Sequence, residues 1–302
     1  MSKLLKSLDP LTLAALDGLK LRARQIVEGF VAGSHRSPFR GVSVEFSEHR
    51  DYVPGDDLRH VDWKAFARTD KLFVKQFVDE TNLHAYLILD SSASMSYQGE
   101  ASGLSKFQYA QCLVAGLAWL LIRNGDAAGL ALADADIQKW IAAASHAKHW
   151  DRLIETMDEA NAQSETDLGA ALRETASRLQ HRSVVLVLSD FLDDVSRVLD
   201  GVEQLRFAQH DVVLLQVLDR DELEFPFDER VEFQGLESDL MTQVESKQIR
   251  QQYLELFRIA QDQFVDHARN LGASYQCVVS DEDLGTVLNE FLTSRSVWKG
   301  DS

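Results

Sequence analysis

The chain predicts an α/β fold: a doubly wound, mostly parallel sheet flanked by helices, preceded by an N-terminal helix and a β-rich extension. Three observations carry this. Short, almost wholly apolar runs alternate with longer helical patterns from residue 83 onward, which is how strands buried on both faces of a parallel sheet read. Most of those runs close on an Asp. The charge also changes along the chain: residues 1–80 carry 13 Lys/Arg and 12 Asp/Glu, a net of +1, whereas the remainder carries 18 and 36, a net of −18.

Taken in order, residues 11–32 read as one helix, with Leu13, Leu16, Leu19, Ile26, Val27 and Phe30 near helical spacing and Gly33-Ser34 ending it. Val42, Val44 and Phe46 alternate as a strand does, and LFVKQFV at 72–78 reads as another. Between them lies RDYVPGDDLRHVDWKAFARTDK, dense in charge and broken by Pro54-Gly55. These features place 1–80 as an extension and 81–302 as the α/β domain. Its strands are expected at 83–90, 127–134, 183–190, 211–219 and 274–280. Its helices are expected at about 103–123, 147–160, 168–180, 194–208, 243–271 and 282–294. On the longest, Tyr253, Leu256, Phe257, Ala260, Phe264, Ala268 and Leu271 form a stripe expected to face the core. Residues 220–238 read as an inserted acidic hairpin or loop.

The whole chain has 31 Lys+Arg against 48 Asp+Glu, a formal net charge of −17. So acidic a protein is repelled by nucleic acid and by anionic membrane surfaces. A small basic stretch runs through Lys20, Arg22, Arg24, Arg36 and Arg40. The two cysteines, Cys112 and Cys277, sit in apolar runs and are expected to be buried, reduced thiols. Two allow neither a disulfide framework nor a zinc spacing. The N-terminus lacks the features of a signal peptide, and the longest apolar run, 113–122, is too short to span a bilayer, so a cytoplasmic placement without membrane insertion is expected. No P-loop, G-x-G-x-x-G or G-x-S-x-G is present. His146 and His149 have near-helical spacing without further metal-ligand partners, and are expected on a solvated helix face.

Ligands of doubly wound sheets bind beyond the carboxyl ends of the strands. There the first strand of the domain ends in Asp90-Ser91-Ser92-Ala93-Ser94, one carboxylate and two hydroxyls at alternate positions of a turn. Hard oxygen ligands of this kind suit Mg²⁺ and, less selectively, Mn²⁺ or Ca²⁺. Thr166 precedes a helix and Asp190 ends a buried strand. Taken singly, Thr166 reads as a helix cap and Asp190 as a strand-end turn residue. Together with Asp90, Ser92 and Ser94 they form a candidate metal site.

The order D-x-S-x-S, then T, then D, on alternating strands and helices, resembles the von Willebrand factor A fold and its metal-ion-dependent adhesion site over about residues 81–295. The resemblance implies that Ser92 and Ser94 coordinate the ion directly, that Asp90 and Asp190 act largely through bound water, and that Thr166 joins in one of two states. The segment ahead of it carries Glu45, Phe46, Glu48, Arg50, Tyr52, Pro54, Gly55, Asp56, Asp57, Arg59, Asp62 and Trp63. This run resembles a bacterial domain-of-unknown-function family, number fifty-eight. Its members are commonly associated with MoxR-type AAA+ ATPases and are thought to help assemble or activate client proteins. Asp56, Asp57, Arg59, Asp62 and Arg68 are read as ion-pairing residues that tie the extension to the domain, and Trp63 as a packing anchor.

Two classes of function follow. In a non-enzymatic binding module, an ion held on hydroxyls and water-bridged carboxylates keeps an open position that a partner's acidic side chain can fill. That suits a chaperone-like adaptor between a MoxR-type AAA+ ATPase and its client. In a Mg²⁺-dependent phosphohydrolase of the haloacid-dehalogenase kind, Asp90 would be the nucleophile, but the general acid needed two positions on is Ser92 here.

Overall fold

The computed structural model describes residues 8–34, 49–51, 73–75, 83–162, 166–227, 230–234 and 241–296, with side chains for 8–30, 83–162, 166–227 and 249–291. The chain divides into two compact units, Met1–His35 with Leu83–Ser302, and Arg36–Asn82. The division therefore falls on either side of 36–82 rather than at a single cut after residue 80. In the smaller unit, β1 (His49–Asp51) pairs antiparallel with β2 (Phe73–Lys75), inside the run expected to be a strand. The strand expected at Val42–Phe46, and the calls on Pro54, Gly55, Asp56, Asp57, Arg59, Asp62, Trp63 and Arg68, lie outside the described residues.

The larger unit opens with α1 (Pro10–Ala14) and α2 (Leu19–Ser34), where a single helix was expected. The break falls at Gly18, whose φ of 79° lies in the left-handed region that glycine adopts without steric cost. Leu19 then donates its N–H to the Asp158 carboxylate (2.9 Å). Leu13, Leu19, Ala23 and Ile26 are buried, so this segment is part of the main core.

The sheet comprises β3 (His84–Asp90), β4 (Ala127–Ala133), β5 (Ile137–Ala144), β6 (Val184–Ser189) and β7 (Asp211–Leu218). A separate hairpin follows, β8 (Arg230–Gln234) with β9 (Met241–Glu245), and β10 (Ser274–Val279) completes the sheet. The order is β10-β7-β6-β3-β4-β5, parallel except for β5, which runs antiparallel to β4. Counted within the sheet this is 6-5-4-1-2-3, the doubly wound order, as expected. β5 was not anticipated: it is a half-exposed edge strand and shows no buried apolar run.

Alternation along each central strand builds two cores. Leu87 and Leu89 of β3, Leu186 and Leu188 of β6, and Leu215 and Val217 of β7 join one cluster with α1, α2, α3 (Lys106–Arg123), α4 (Ala147–Asp158) and α9 (Leu284–Ser296). Ile88, Val185, Val187 and Leu214 join the other, with α5 (Leu168–Arg178), α6 (Val195–Phe207) and α8 (Ser246–Asn270). Successive side chains of a strand point to opposite faces, so each strand feeds both layers. Full burial of each such Leu, Ile or Val stabilises by roughly 1.5–3 kcal/mol before entropy is counted.

Four details differ from expectation. On α8, Phe264 and Ala268 are buried, whereas Leu256 is 58% exposed, so only the C-terminal part of the stripe faces the core. The insertion after β7 is the short helix α7 (Arg220–Glu224) followed by the β8–β9 hairpin. His149 is buried rather than solvated: α4 turns it inward, and its Nε2 lies 2.7 Å from the Ala128 carbonyl of β4. Cys112 is buried and its thiol is pushed up to about 12 by desolvation, while Cys277 is only half-buried.

Candidate metal centre

The strand order reverses beside β3: the chain passes from β3 to β4 on one side and returns to β6 on the other. The crevice beyond their carboxyl ends is where such folds place ligands, and Asp90 and Asp190 stand there. Asp90 is the last residue of β3 and Asp190 follows the last residue of β6. Both are almost fully buried, at 2% and 1% exposure.

Each Asp90 oxygen accepts a hydrogen bond, Oδ1 from the Ser92 N–H (2.8 Å) and Oδ2 from the Ser189 hydroxyl (2.5 Å). Burial, and next the neighbouring Asp190 charge, push the Asp90 carboxyl up to about 7 despite those bonds. A buried carboxylate in that condition lacks a counter-charge. After Asp90 the backbone enters a 3-10 turn, Ala93–Ser96, with Ser92 as its N-cap. This turn brings the Ser92 and Ser94 hydroxyls to 3.1 Å from each other. Ser91 points away and donates to the Ala133 carbonyl (3.1 Å), pinning the turn to β4.

Thr166 reaches the same edge on another loop. The next residue, Asp167, donates its N–H to the Asp134 carbonyl just past β4 (3.1 Å), and the Leu168 N–H donates to the Asp193 carboxylate just past β6 (2.9 Å). The loop therefore straddles the end of β3. Thr166 is not the cap of α5; Asp167 is, its Oδ1 accepting from the Ala170 N–H (2.9 Å). The Thr166 Oγ1 is buried and has no hydrogen-bond partner among the described residues. Such an orphan costs about 1–3 kcal/mol and asks for a ligand.

Past β6, Phe191 sits at φ 54°, a left-handed conformation that disfavours a side chain of this size. It is held by a bond from its N–H to the Ser189 hydroxyl (2.9 Å) and by its ring against Phe264 (centroids 5.1 Å apart). Ser189 thus serves Asp90 and the kinked backbone at once.

The structure adds two residues that sequence reasoning missed. Lys106, the first residue of α3, is 1% exposed, and its Nζ lies 2.7 Å from Asp190 Oδ2 and 2.7 Å from Glu222 Oε1 of α7. Burial pulls the Lys106 ammonium down, but the two carboxylates outweigh it and hold its pKa above the ordinary lysine value. Burial raises Glu222, against the opposing pull of Lys106. A cue existed: a lysine in the first turn of an otherwise apolar helix opposes the helix dipole.

Two carboxylates and three hydroxyls, one hydroxyl having no partner among the described residues, fit a hard divalent cation. Ser92 and Ser94, whose hydroxyls hydrogen-bond each other, and Thr166, whose hydroxyl has no partner among the described residues, are the side chains that would hold it. Asp90 and Asp190 stand behind them with oxygens already bonded to protein donors.

Doubly wound topology, with a carboxylate–hydroxyl turn at its switch point, defines a von Willebrand factor A-like protein. The family model described as "Protein of unknown function DUF58" matches residues 48–263, and the chain belongs to that family. "Uncharacterized protein Rv1480" of Mycobacterium tuberculosis is 28% identical over 293 residues, covering 95% of this chain and 90% of that protein. "Uncharacterized protein Mb1516" of Mycobacterium bovis matches with the same figures of 28%, 95% and 90%. Among solved structures, an aerotolerance-related membrane protein from Bacteroides fragilis covers 69% of this chain and 96% of its own, at 14% identity and a TM-score of 0.47. BatB from Bacteroides thetaiotaomicron gives 71%, 98%, 10% and 0.44, and the SpRpn10 VWA domain gives 70%, 95%, 9% and 0.45. Scores of this size add nothing to what the strand order shows. Among the described residues no helix is long and apolar enough to cross a membrane.

Proposed function

We propose that this chain is a non-enzymatic, divalent-metal-dependent protein-binding module, working in the cytoplasm as an adaptor for a MoxR-type AAA+ ATPase in the assembly or activation of client proteins. The observation that carries the reading is the orphaned Thr166 hydroxyl, on a loop that spans the strand end from which Ser92 and Ser94 project. A bound Mg²⁺, or Mn²⁺ or Ca²⁺ in its place, would supply a Lewis-acidic position to a partner's carboxylate. Ser92, Ser94 and Thr166 would hold it. Asp90, fixed by Ser189, and Asp190 would lend charge from behind.

The geometry weighs against Asp90 as a phosphohydrolase nucleophile. Both its oxygens accept hydrogen bonds from protein donors, and Ser92, two residues on, cannot serve as a general acid near neutral pH. The ATPase and client rest on the family resemblance alone, while the need for an acidic ligand rests on the site's chemistry.

Co-purification of tagged chain with its partner tests the reading. EDTA, or Asp90→Asn, should release a partner held at the ion face, whereas moderate salt should release one held by the basic stretch through Lys20, Arg22, Arg24, Arg36 and Arg40. A complex that survives EDTA and the substitution but dissociates in moderate salt overturns the choice of face.

A further inference from the structure

The Lys106 ammonium has no part in holding an ion, yet it is a charge buried beside the site. It stands at the first position of α3, where the helix dipole opposes a cation, and it is fixed there by two carboxylates at 2.7 Å each. One of them, Asp190, belongs to the candidate metal centre. The other, Glu222, has a second duty. Its Oε2 accepts the Asp219 N–H (2.7 Å), and Asp219 in turn caps α7, so the pair closes the start of that helix. The Glu222 carbonyl accepts the Tyr253 hydroxyl of α8 (3.1 Å). Tyr97, just past the serine turn, donates to Asp221 of the same short helix (2.9 Å). One ammonium therefore joins the ion site to a helix that is also tied to its surroundings through Tyr97, Tyr253 and the Arg220–Asp281 pair.

We propose that Lys106 is a built-in counter-charge that lowers the site's affinity for a divalent cation, and that its ammonium moves from Asp190 toward Glu222 when Asp190 commits to a cation, so that occupancy is transmitted to α7. This rests on the ion-site reading above. The physical reason is that two positive charges cannot both be served by one buried carboxylate. Glu222 gives the displaced ammonium an acceptor it already touches, so the exchange leaves no charge unpaired. Lys106 is then a positioning residue and does not itself ligate.

Mg²⁺ affinity, measured by calorimetry on the full chain, tests this with three variants. Lys106→Met removes the competing charge and should tighten Mg²⁺ binding by about tenfold. Glu222→Gln leaves the ammonium to Asp190 alone and should weaken binding several-fold. Lys106→Arg keeps the charge and should stay near the wild-type value. Hydrogen exchange should show amides 219–225 changing with Mg²⁺ in wild type and unresponsive in Lys106→Met. Equal affinities in wild type, Lys106→Met and Glu222→Gln would overturn the proposal while leaving the ion site standing. Should Lys106→Met fail to fold, an unchanged affinity in Glu222→Gln overturns it equally. No Mg²⁺ binding by wild type or any variant sinks the ion-site reading and this inference with it. Binding by Lys106→Met alone supports the inference in its strongest form.

Discussion

Among single residues, Thr166, Ser92 and Ser94 make the sharpest contrast, because the two serine hydroxyls bond each other while the Thr166 hydroxyl has no partner among the described residues. Ser92 and Ser94 hydrogen-bond to each other, so Ser92→Ala or Ser94→Ala removes a proposed ligand and strips the survivor of a neighbour. Either variant should keep its fold, and Mg²⁺ should raise its melting temperature far less than that of wild type. Equal Mg²⁺ stabilisation of both variants and wild type would remove the assignment. Thr166→Val behaves differently without metal. It replaces an unpaired buried hydroxyl by a methyl of like shape, so the metal-free protein should be unchanged or up to about 1 kcal/mol more stable in urea unfolding. Adding Mg²⁺ should then benefit the variant less than wild type. A loss of more than 1 kcal/mol without metal would show that the Thr166 hydroxyl bonds within the protein.

Among the elements, the pair α5 and α6 sets where the Thr166 loop and the segment after Asp190 meet. Both helices carry a glycine at the contact. A Cβ on Gly169 would overlap the Arg197 carbonyl, and one on Gly201 would lie 2.7 Å from the Leu172 Cβ. Asp167 also pairs with Arg197, and the Asp193 carboxylate holds the start of α5. Gly169→Val must push α6 outward, costing about 1–3 kcal/mol by overpacking. Because α6 begins beside Asp193, Mg²⁺ stabilisation should fall along with thermal stability. Val at 169 with undiminished Mg²⁺ response would separate helix packing from the site. The elements also show where sequence reading succeeds. Runs such as VVLVLS of β6 are apolar at every position because both faces are covered, and that is visible without coordinates. β5 has one face against solvent and a register irregularity against β4, so neither periodicity nor a continuous run marks it. His149 looked polar on its helix because the nearest backbone acceptor, the Ala128 carbonyl, lies 21 residues earlier in the chain.

For the molecule as a whole, two buried imidazoles contribute to the pH dependence of stability. Burial lowers both His149 and His210 below the ordinary histidine value. The His210 Nδ1 accepts the Ser183 N–H (3.2 Å), which only a neutral ring can do. A folded-state pKa depressed below the unfolded one means that the unfolded chain takes up protons first as pH falls. Their contribution to stability is therefore full above about 6.5 and is lost as pH drops through the depressed folded values. The Asp90 carboxyl, raised to about 7, acts in the opposite sense over the same range, so the histidine contribution is read as the difference between wild type and His210→Asn in urea unfolding at pH 7.5, 6.5 and 5.5. The variant should lose less stability than wild type as pH falls, and equal changes in the two would contradict the burial of the His210 ring. At this scale, too, the division of labour between sequence and tertiary structure is plain. The sequence by itself determined the fold class, because strand periodicity is written in neighbouring residues, and its resemblance to known families pointed to the family and to the candidate residues Asp90, Ser92, Ser94, Thr166 and Asp190. Only the tertiary structure decided that Ser189 bonds Asp90, that the Thr166 hydroxyl has no partner among the described residues, and that Lys106 shares its charge between Asp190 and Glu222, 84 and 116 residues away. Those contacts depend on the order in which strands join the sheet, and a buried charge finds its partner by distance in space, which spacing along the chain does not encode.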